Sequence, residues 1–323
     1  MTVLYSVDQF LLHETGDHPE SPLRLQAVHQ RLAGTALLAS LQQGECRPAT
    51  QQELRAAHTV EYLQQLDHFA ASGGGRIETD TVVCAASPRI ARLAAGTAVN
   101  AVQQVMTVSD PTAFCLMRPP GHHALRDGAM GFCLYNNAAI AAQAAKQQYG
   151  LERVLIIDWD VHHGNGTQDS FYEDPTVGFL SSHRFPFYPG SGAASETGSG
   201  QGLGTTYNLP LRNGSSRRQI LDSFTAVLSD AADRIRPQLV ILSAGFDAHA
   251  EDPVGSLGLE TEDFGILTDA VLDVAQTHCG GKVVSLLEGG YNPARLAECV
   301  ELHLQCLSNR GQNSQGSSAA CSN

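Results

Sequence analysis

The sequence predicts one α/β domain: a largely parallel, multi-stranded sheet with helices on both faces. From residue 87 onward, short apolar runs rich in Val, Ile or Leu alternate with longer helical stretches, as strands covered on both sides should. Each run ends in a polar, glycine-bearing loop. In an open α/β sheet the crevice beyond the carboxyl strand ends is where ligands bind, so these loops predict one shared site. With 323 residues, 42% of them apolar, the chain can bury a single large core, and no repeat or convincing linker divides it.

The elements follow in order. Residues 1–5 carry a short strand pattern expected at a sheet edge, followed by helices near 23–39 and 51–70 and a loop at Gly73-Gly74-Gly75. Strands are expected at 112–117, 153–157, 177–180, 238–242 and 282–287. Helices at 87–108, 135–149, 215–236, 261–278 and 293–307 fill the intervals, as crossovers between parallel strands require. The folded domain is expected to span 1–308, with the polar, Gly/Ser-rich 309–323 as a disordered tail.

Charge and composition narrow the function. A formal charge of −13, from 33 acidic and 20 basic residues, opposes nucleic-acid binding, which draws on basic patches. It is compatible with a cationic substrate, although dispersed acidic residues also serve ordinary solubility. The eight cysteines contain no C-x-x-C pair and fit reduced thiols in a cytoplasmic location. No signal-peptide pattern opens the chain and no apolar run reaches membrane-spanning length, so no membrane association is expected. An oligomer is compatible with the sequence.

The chemistry sits in the strand-end loops. Run 112–117 leads into Arg118-Pro119-Pro120-Gly121-His122-His123, and run 153–157 into Asp158-Trp159-Asp160-Val161-His162-His163-Gly164. Asp160 and His162, spaced i, i+2, project to one side of an extended strand end, and Asp247 from another strand is the candidate third ligand. Two carboxylates and one imidazole with a position left for water suit a catalytic zinc, with ferrous iron as the alternative. Each residue alone is more often a helix cap or a packing group; the set at neighbouring strand ends favours a metal. Asp158 shares the parity of Asp160 and His162, so it is expected deeper, holding His122 or a second cation.

His122 and His123 are candidate proton carriers, one taking a proton from the attacking water and one protonating the departing amine. Tyr291, after Gly289-Gly290, is placed to stabilise an oxyanion. Gly131-Phe132-Cys133 and Phe187-Tyr188-Pro189-Gly190 put aromatic rings where they could wall a narrow tunnel. The Gly-rich 198–204 does not satisfy G-x-G-x-x-G, which rejects a dinucleotide site. His29, His68, His278 and His303 are expected to face solvent. The constellation implies a metal-dependent amide hydrolase.

In this order, RPPGHH, GFC, DWDVHHGNGTQ, SSH, PGSG, SAGFDAH and LEGGYN resemble the zinc-dependent histone deacetylase family, nearest its class II and bacterial amidohydrolase-like branch, over residues 1–307. The resemblance implies the arginase/deacetylase fold and hydrolysis of N-acetyl- or N-acyl-lysine in proteins or peptides. It assigns zinc to Asp160, His162 and Asp247, proton transfer to His122 and His123, and carbonyl polarisation to Tyr291. It suggests a substrate tunnel of Pro120, Gly131, Phe132, Tyr188 and Val254, with Arg24 near the site floor. Structural potassium is implied at Asp158 and Ser181 with main-chain oxygens of Asp160, His162 and Ser182, and a second near Phe171, Asp174 and Val177. Asn165 stands where class I members carry an aspartate beside the second histidine. Val254 falls where polyamine-selective relatives place a glutamate, which favours acyl-lysine over a small acylated amine. An acetylpolyamine amidohydrolase is the runner-up; a dimanganese ureohydrolase and a non-catalytic acyl-lysine reader are the remaining rivals.

Overall fold

The computed structural model describes residues 2–108 and 112–317. Ten strands, ten α-helices and two short 3-10 helices are assigned among them. The N-terminal part comprises β1 (Thr2–Tyr5), α1 (Leu23–Ala33), α2 (Leu37–Ser40), β2 (Gln42–Gln43), α3 (Gln51–Arg55), α4 (Val60–Ala71), β3 (Gly75–Arg76) and β4 (Val82–Val83). Then come α5 (Ser87–Thr107), β5 (Thr112–Cys115), α6 (Asn137–Tyr149), β6 (Val154–Asp158), α7 (Asn165–Phe171), β7 (Val177–Arg184) and β8 (Thr206–Leu211). The chain continues with α8 (Arg217–Ile235), β9 (Leu239–Ala244), α9 (Thr261–Cys279), β10 (Val283–Leu287) and α10 (Pro293–Ser317).

Eight strands form one sheet in the order β2-β1-β5-β10-β9-β6-β7-β8, and every pairing in it is parallel. All five residues of β6 and of β10 are buried, which explains runs such as Val154-Leu155-Ile156-Ile157 without polar alternation. Each such side chain contributes roughly 1.5–3 kcal/mol on removal from water. Alanines of α5 and α6 let those two helices pack closely: Ala94, Ala95 and Ala98 meet the core from one, Ala138, Ala141 and Ala145 from the other. The chain order returns the five chemistry-bearing strands β5, β10, β9, β6 and β7 as consecutive neighbours. Their carboxyl ends therefore open on one crevice.

Several expectations need correction. β1 is not the edge, because the two-residue β2 pairs outside it. Strand β8, on the far edge, lacks a sequence signal beyond Thr206 and Tyr207, and its Pro210 suits an edge position. The helix expected over 23–39 breaks at Gly34, and 51–70 divides because Thr50 and Thr59 each cap a separate helix. Helix α10 runs on to Ser317, so the expected disordered tail is helical that far, and residues 318–323 lie outside the described residues. Of the four histidines expected at the surface only His68 is exposed, while His29 and His278 are half-buried. His303 is fully buried, with Nδ1 2.8 Å from Thr268 Oγ1 and Nε2 2.9 Å from Ser285 Oγ, and burial pushes its pKa down to about 3. The seven described cysteines are free thiols.

Candidate active site and metal centre

Strand β6 ends at Asp158, and the chain then turns so that Asp160 and His162 face Asp247 from the end of β9. One ligand atom from each of the three lies within 4.8 Å of the others, and all three residues are buried. His162 Nδ1 stands 3.0 Å from Asp160 Oδ1 and 3.1 Å from Asp247 Oδ2. Gly289 makes this approach possible: a Cβ there would meet Asp247 Oδ2 at 2.2 Å and Asp160 Oδ2 at 2.5 Å. The backbone N–H of Gly289 instead donates to Asp160 Oδ2 at 2.8 Å.

This donor set fits a divalent ion. Two carboxylates and one imidazole converge, and no Lys or Arg bridges to Asp160 or Asp247 among the described residues. The potential at the meeting point is strongly negative. Burial lowers the His162 pKa, but Asp160 and Asp247 outweigh it and push it up to about 10. Burial, then the neighbouring Asp160, push Asp247 up to about 7. A cation between the carboxylates would take the place of the His162 proton in offsetting their charge.

The two histidines after β5 have opposite environments. His122 Nδ1 lies 2.9 Å from Asp158 Oδ2, and burial, which would lower its pKa, loses to Asp158 and Asp160, which raise it well above the ordinary value. His123 Nδ1 lies 2.7 Å from Asn165 Oδ1. An amide oxygen only accepts, so Nδ1 carries the proton and Nε2 keeps a free lone pair. Burial, then the cationic neighbour His122, hold the His123 pKa well below normal. The rings are 4.0 Å apart, one favouring the charged form and one the neutral form. Gly131, at φ +54°, packs against His123, since a Cβ there would meet Cδ2 at 2.4 Å.

Tyr291 is 8% exposed, and its ring lies under the Arg24 guanidinium (5.0 Å) and edge-on to Phe132 (5.6 Å). Burial raises its pKa well above 10 against the opposing effect of Arg24, so the phenol remains a proton donor. Its backbone N–H donates to Asp252 Oδ2 at 2.6 Å. Tyr188 meets His123 edge-on at 5.2 Å and His162 at 6.1 Å. Phe132 thus touches the Tyr291 ring, and Tyr188 the rings of His123 and His162.

The expected rim and support residues fall out unevenly. Val254 is half-buried and Pro120 is buried in the turn that delivers the histidine pair. Asp158 holds His122, as one of its two expected roles required, and Ser181 is its partner across β6 and β7. The Ser181 hydroxyl is 3.0 Å from His183 Nδ1. Asp174, near the second implied potassium, already binds Lys146 Nζ at 2.5 Å.

Sequence reasoning missed four contributors and did not single out Phe187 within its aromatic loop. Phe187, not only Tyr188, reaches the site, stacked on His162 at 5.2 Å and 17°, with the Arg184 guanidinium 4.2 Å from its ring centroid. Glu288 accepts from Gly121 N at 2.6 Å and His122 N at 3.2 Å, and burial raises its pKa to about 7. Glu20 and Arg118 form a buried pair with Nε–Oε1 of 2.5 Å, and Glu20 also holds Arg24 at 3.2 Å. Asp252 anchors Tyr291. A carboxylate opening the loop after an apolar strand was the available signal for Glu288; the others are set by contacts distant in sequence.

Fold and site together define a hydrolase acting on amides. The histone deacetylase domain model matches residues 18–307, and the chain belongs to the histone deacetylase family. It is 39% identical over 315 residues to histone deacetylase 10, chloroplastic, of Oryza sativa subsp. japonica, covering 92% of this chain and 71% of that protein. It is 39% identical over 285 residues to the histone deacetylase-like amidohydrolase of Pseudomonas aeruginosa, covering 87% and 74%. Human polyamine deacetylase HDAC10 is 38% identical over 300 residues, covering 89% of this chain and 44% of that one. The crystal structure of the HDA15 HD domain superposes with a TM-score of 0.87 at 36% identity, covering 95% and 89%. These relatives agree with the class II and bacterial amidohydrolase branch and with the arginase/deacetylase fold.

Proposed function

We propose that this protein removes the acetyl group from N-acetyl-lysine in a protein or peptide, releasing acetate and the free amine. The observation that carries the reading is the convergence of Asp160, His162 and Asp247 beside a histidine pair of unequal basicity. These three residues would hold zinc, or ferrous iron as the alternative, which when bound supplies Lewis acidity toward the carbonyl oxygen and the attacking water. His123, neutral with Nε2 free, takes the proton from that water. His122, held charged by Asp158, would offset the negative charge that develops on the substrate and give the departing amine its proton. The Tyr291 hydroxyl donates to the former carbonyl oxygen. Phe132 and Tyr188 line the path of the aliphatic lysine stem, with Gly131, Pro120 and Val254 nearby. Structural potassium at Asp158 and Ser181 belongs to the same reading.

Val254 offers no carboxylate to a second ammonium, which supports acyl-lysine over acetylpolyamine. The free thiols suit a reducing compartment such as the cytoplasm, and no helix among the described residues is long and apolar enough to cross a membrane. The deciding experiment compares turnover of an acetyl-lysine peptide and acetylspermidine by zinc-loaded protein, with and without chelator. Faster peptide turnover, abolished by chelation, is expected. Preference for acetylspermidine would establish the runner-up, and inactivity on both would remove the deacetylase reading.

A further inference from the structure

We propose that Asp252 is a positioning residue that sets the catalytic geometry of Tyr291 and ties it to the tunnel rim. The inference rests on the role given to Tyr291 above. Between the packed side chains of Glu288 and Tyr291, Gly289 and Gly290 have none, and Gly290 sits at φ +119°. The segment is held by outside groups: Gly289 N–H by Asp160 at 2.8 Å, the Gly290 carbonyl by Arg24 Nε at 2.7 Å, and Tyr291 N–H by Asp252 at 2.6 Å. Of these three hydrogen bonds only the last is made by Tyr291 itself.

The same carboxylate has a second load. Its other oxygen accepts from Val254 N and Gly255 N, each at 2.9 Å. One buried carboxylate therefore gathers three backbone N–H groups from two loops. No Lys, Arg or His pairs with it among the described residues, and these three N–H groups are its hydrogen-bond partners there. The neighbouring Glu251 clasps the start of α10 by accepting from Asn292 Nδ2 on its carbonyl (3.0 Å) and pairing with Arg295 (2.8 Å). The turn around Asp252 is thus fixed to the segment that bears Tyr291, and displacement of the rim at Val254 is transmitted to the phenol through two hydrogen bonds.

Asp252→Asn keeps shape but replaces one acceptor by a donor, so either Tyr291 or the Val254–Gly255 pair loses its partner. The test is a double-mutant cycle on an acetyl-lysine peptide, with metal content measured in every variant. Asp252→Asn is expected to lower kcat about 10- to 100-fold at unchanged metal content, the scale of a small misplacement of a catalytic group. In a Tyr291→Phe background it should lower kcat no further. Equal losses in both backgrounds would mean that Asp252 does not act through the phenol and would overturn the proposal. Amide hydrogen exchange at Tyr291, read by NMR on the metal-loaded protein, works independently of turnover and should speed up in Asp252→Asn; an unchanged rate overturns the anchoring. If the wild type were inert on the peptide, the deacetylase reading would fail while this exchange measurement still decided the contact. Should Asp252→Asn fold poorly, Asp252→Ser takes its place in both measurements, with the same expected and overturning results.

Discussion

The guanidinium of Arg24 lies 5.0 Å from the ring centroid of Tyr291. That cation is not free: Glu20 holds it at 3.2 Å and shares itself with Arg118. The ring of the proposed oxyanion donor is therefore packed by a charge that another buried pair supports. Side-chain packing by Arg24 and backbone anchoring by Asp252 fix Tyr291 from different directions.

Tyr291→Phe removes only the hydroxyl and leaves Arg24, Phe132 and the backbone contact in place. Turnover should fall roughly a hundredfold or more, the scale for losing an oxyanion donor, with metal content unchanged. Near wild-type turnover on an acetyl-lysine peptide would refute the role.

Asp247→Ala deletes one of the three converging donors and the acceptor for Val161 N–H, 2.9 Å away. Elemental analysis should find the purified variant depleted of metal. Full occupancy would show that the ion is held elsewhere.

Glu20 predicts acid lability. Burial raises its pKa, but Arg118, then His13, outweigh that and with Arg24 hold it at about 2, against an ordinary 4.5. Because the folded pKa is depressed, the stabilisation is complete above about pH 4.5 and is lost as pH falls toward 2. Its size is on the order of 3 kcal/mol. Urea unfolding between pH 6 and 3 should show a shallower pH slope for Glu20→Gln than for wild type, and equal slopes would remove Glu20 from the account.

Val254→Glu adds a carboxylate where the chain has none. Turnover of acetylspermidine relative to acetyl-lysine peptide should rise by about fivefold, as expected for one new charge pair of roughly 1 kcal/mol at a partly desolvated rim. An unchanged ratio would detach this position from substrate choice.

Much of the site was legible because its residues cluster within short strand-end segments. Asp160 and His162 lie two residues apart, and His122 and His123 are adjacent, so their juxtaposition needs only local geometry. Asp247 and Tyr291 required one further step, the rule that parallel strands open their carboxyl ends on one crevice. Phe187 was harder, because Phe187 and Tyr188 are equally aromatic in sequence and only the fold decides which stacks on His162. His303 misled because its hydroxyl partners, Thr268 and Ser285, come from other elements and satisfy it in the core.

By itself the sequence determined the α/β alternation, the family, and a candidate metal-ligand set and histidine pair, since these are written in motifs, periodicity and spacing along the strand ends. Only the tertiary structure decided which histidine's surroundings favour the charged form and which the neutral form, how Glu20, Arg118 and Arg24 are joined beneath Tyr291, and that Asp252 gathers the rim and the tyrosine. These depend on burial and on the orientation of groups far apart along the chain. Desolvation and hydrogen-bond geometry arise only once the strands are packed side by side.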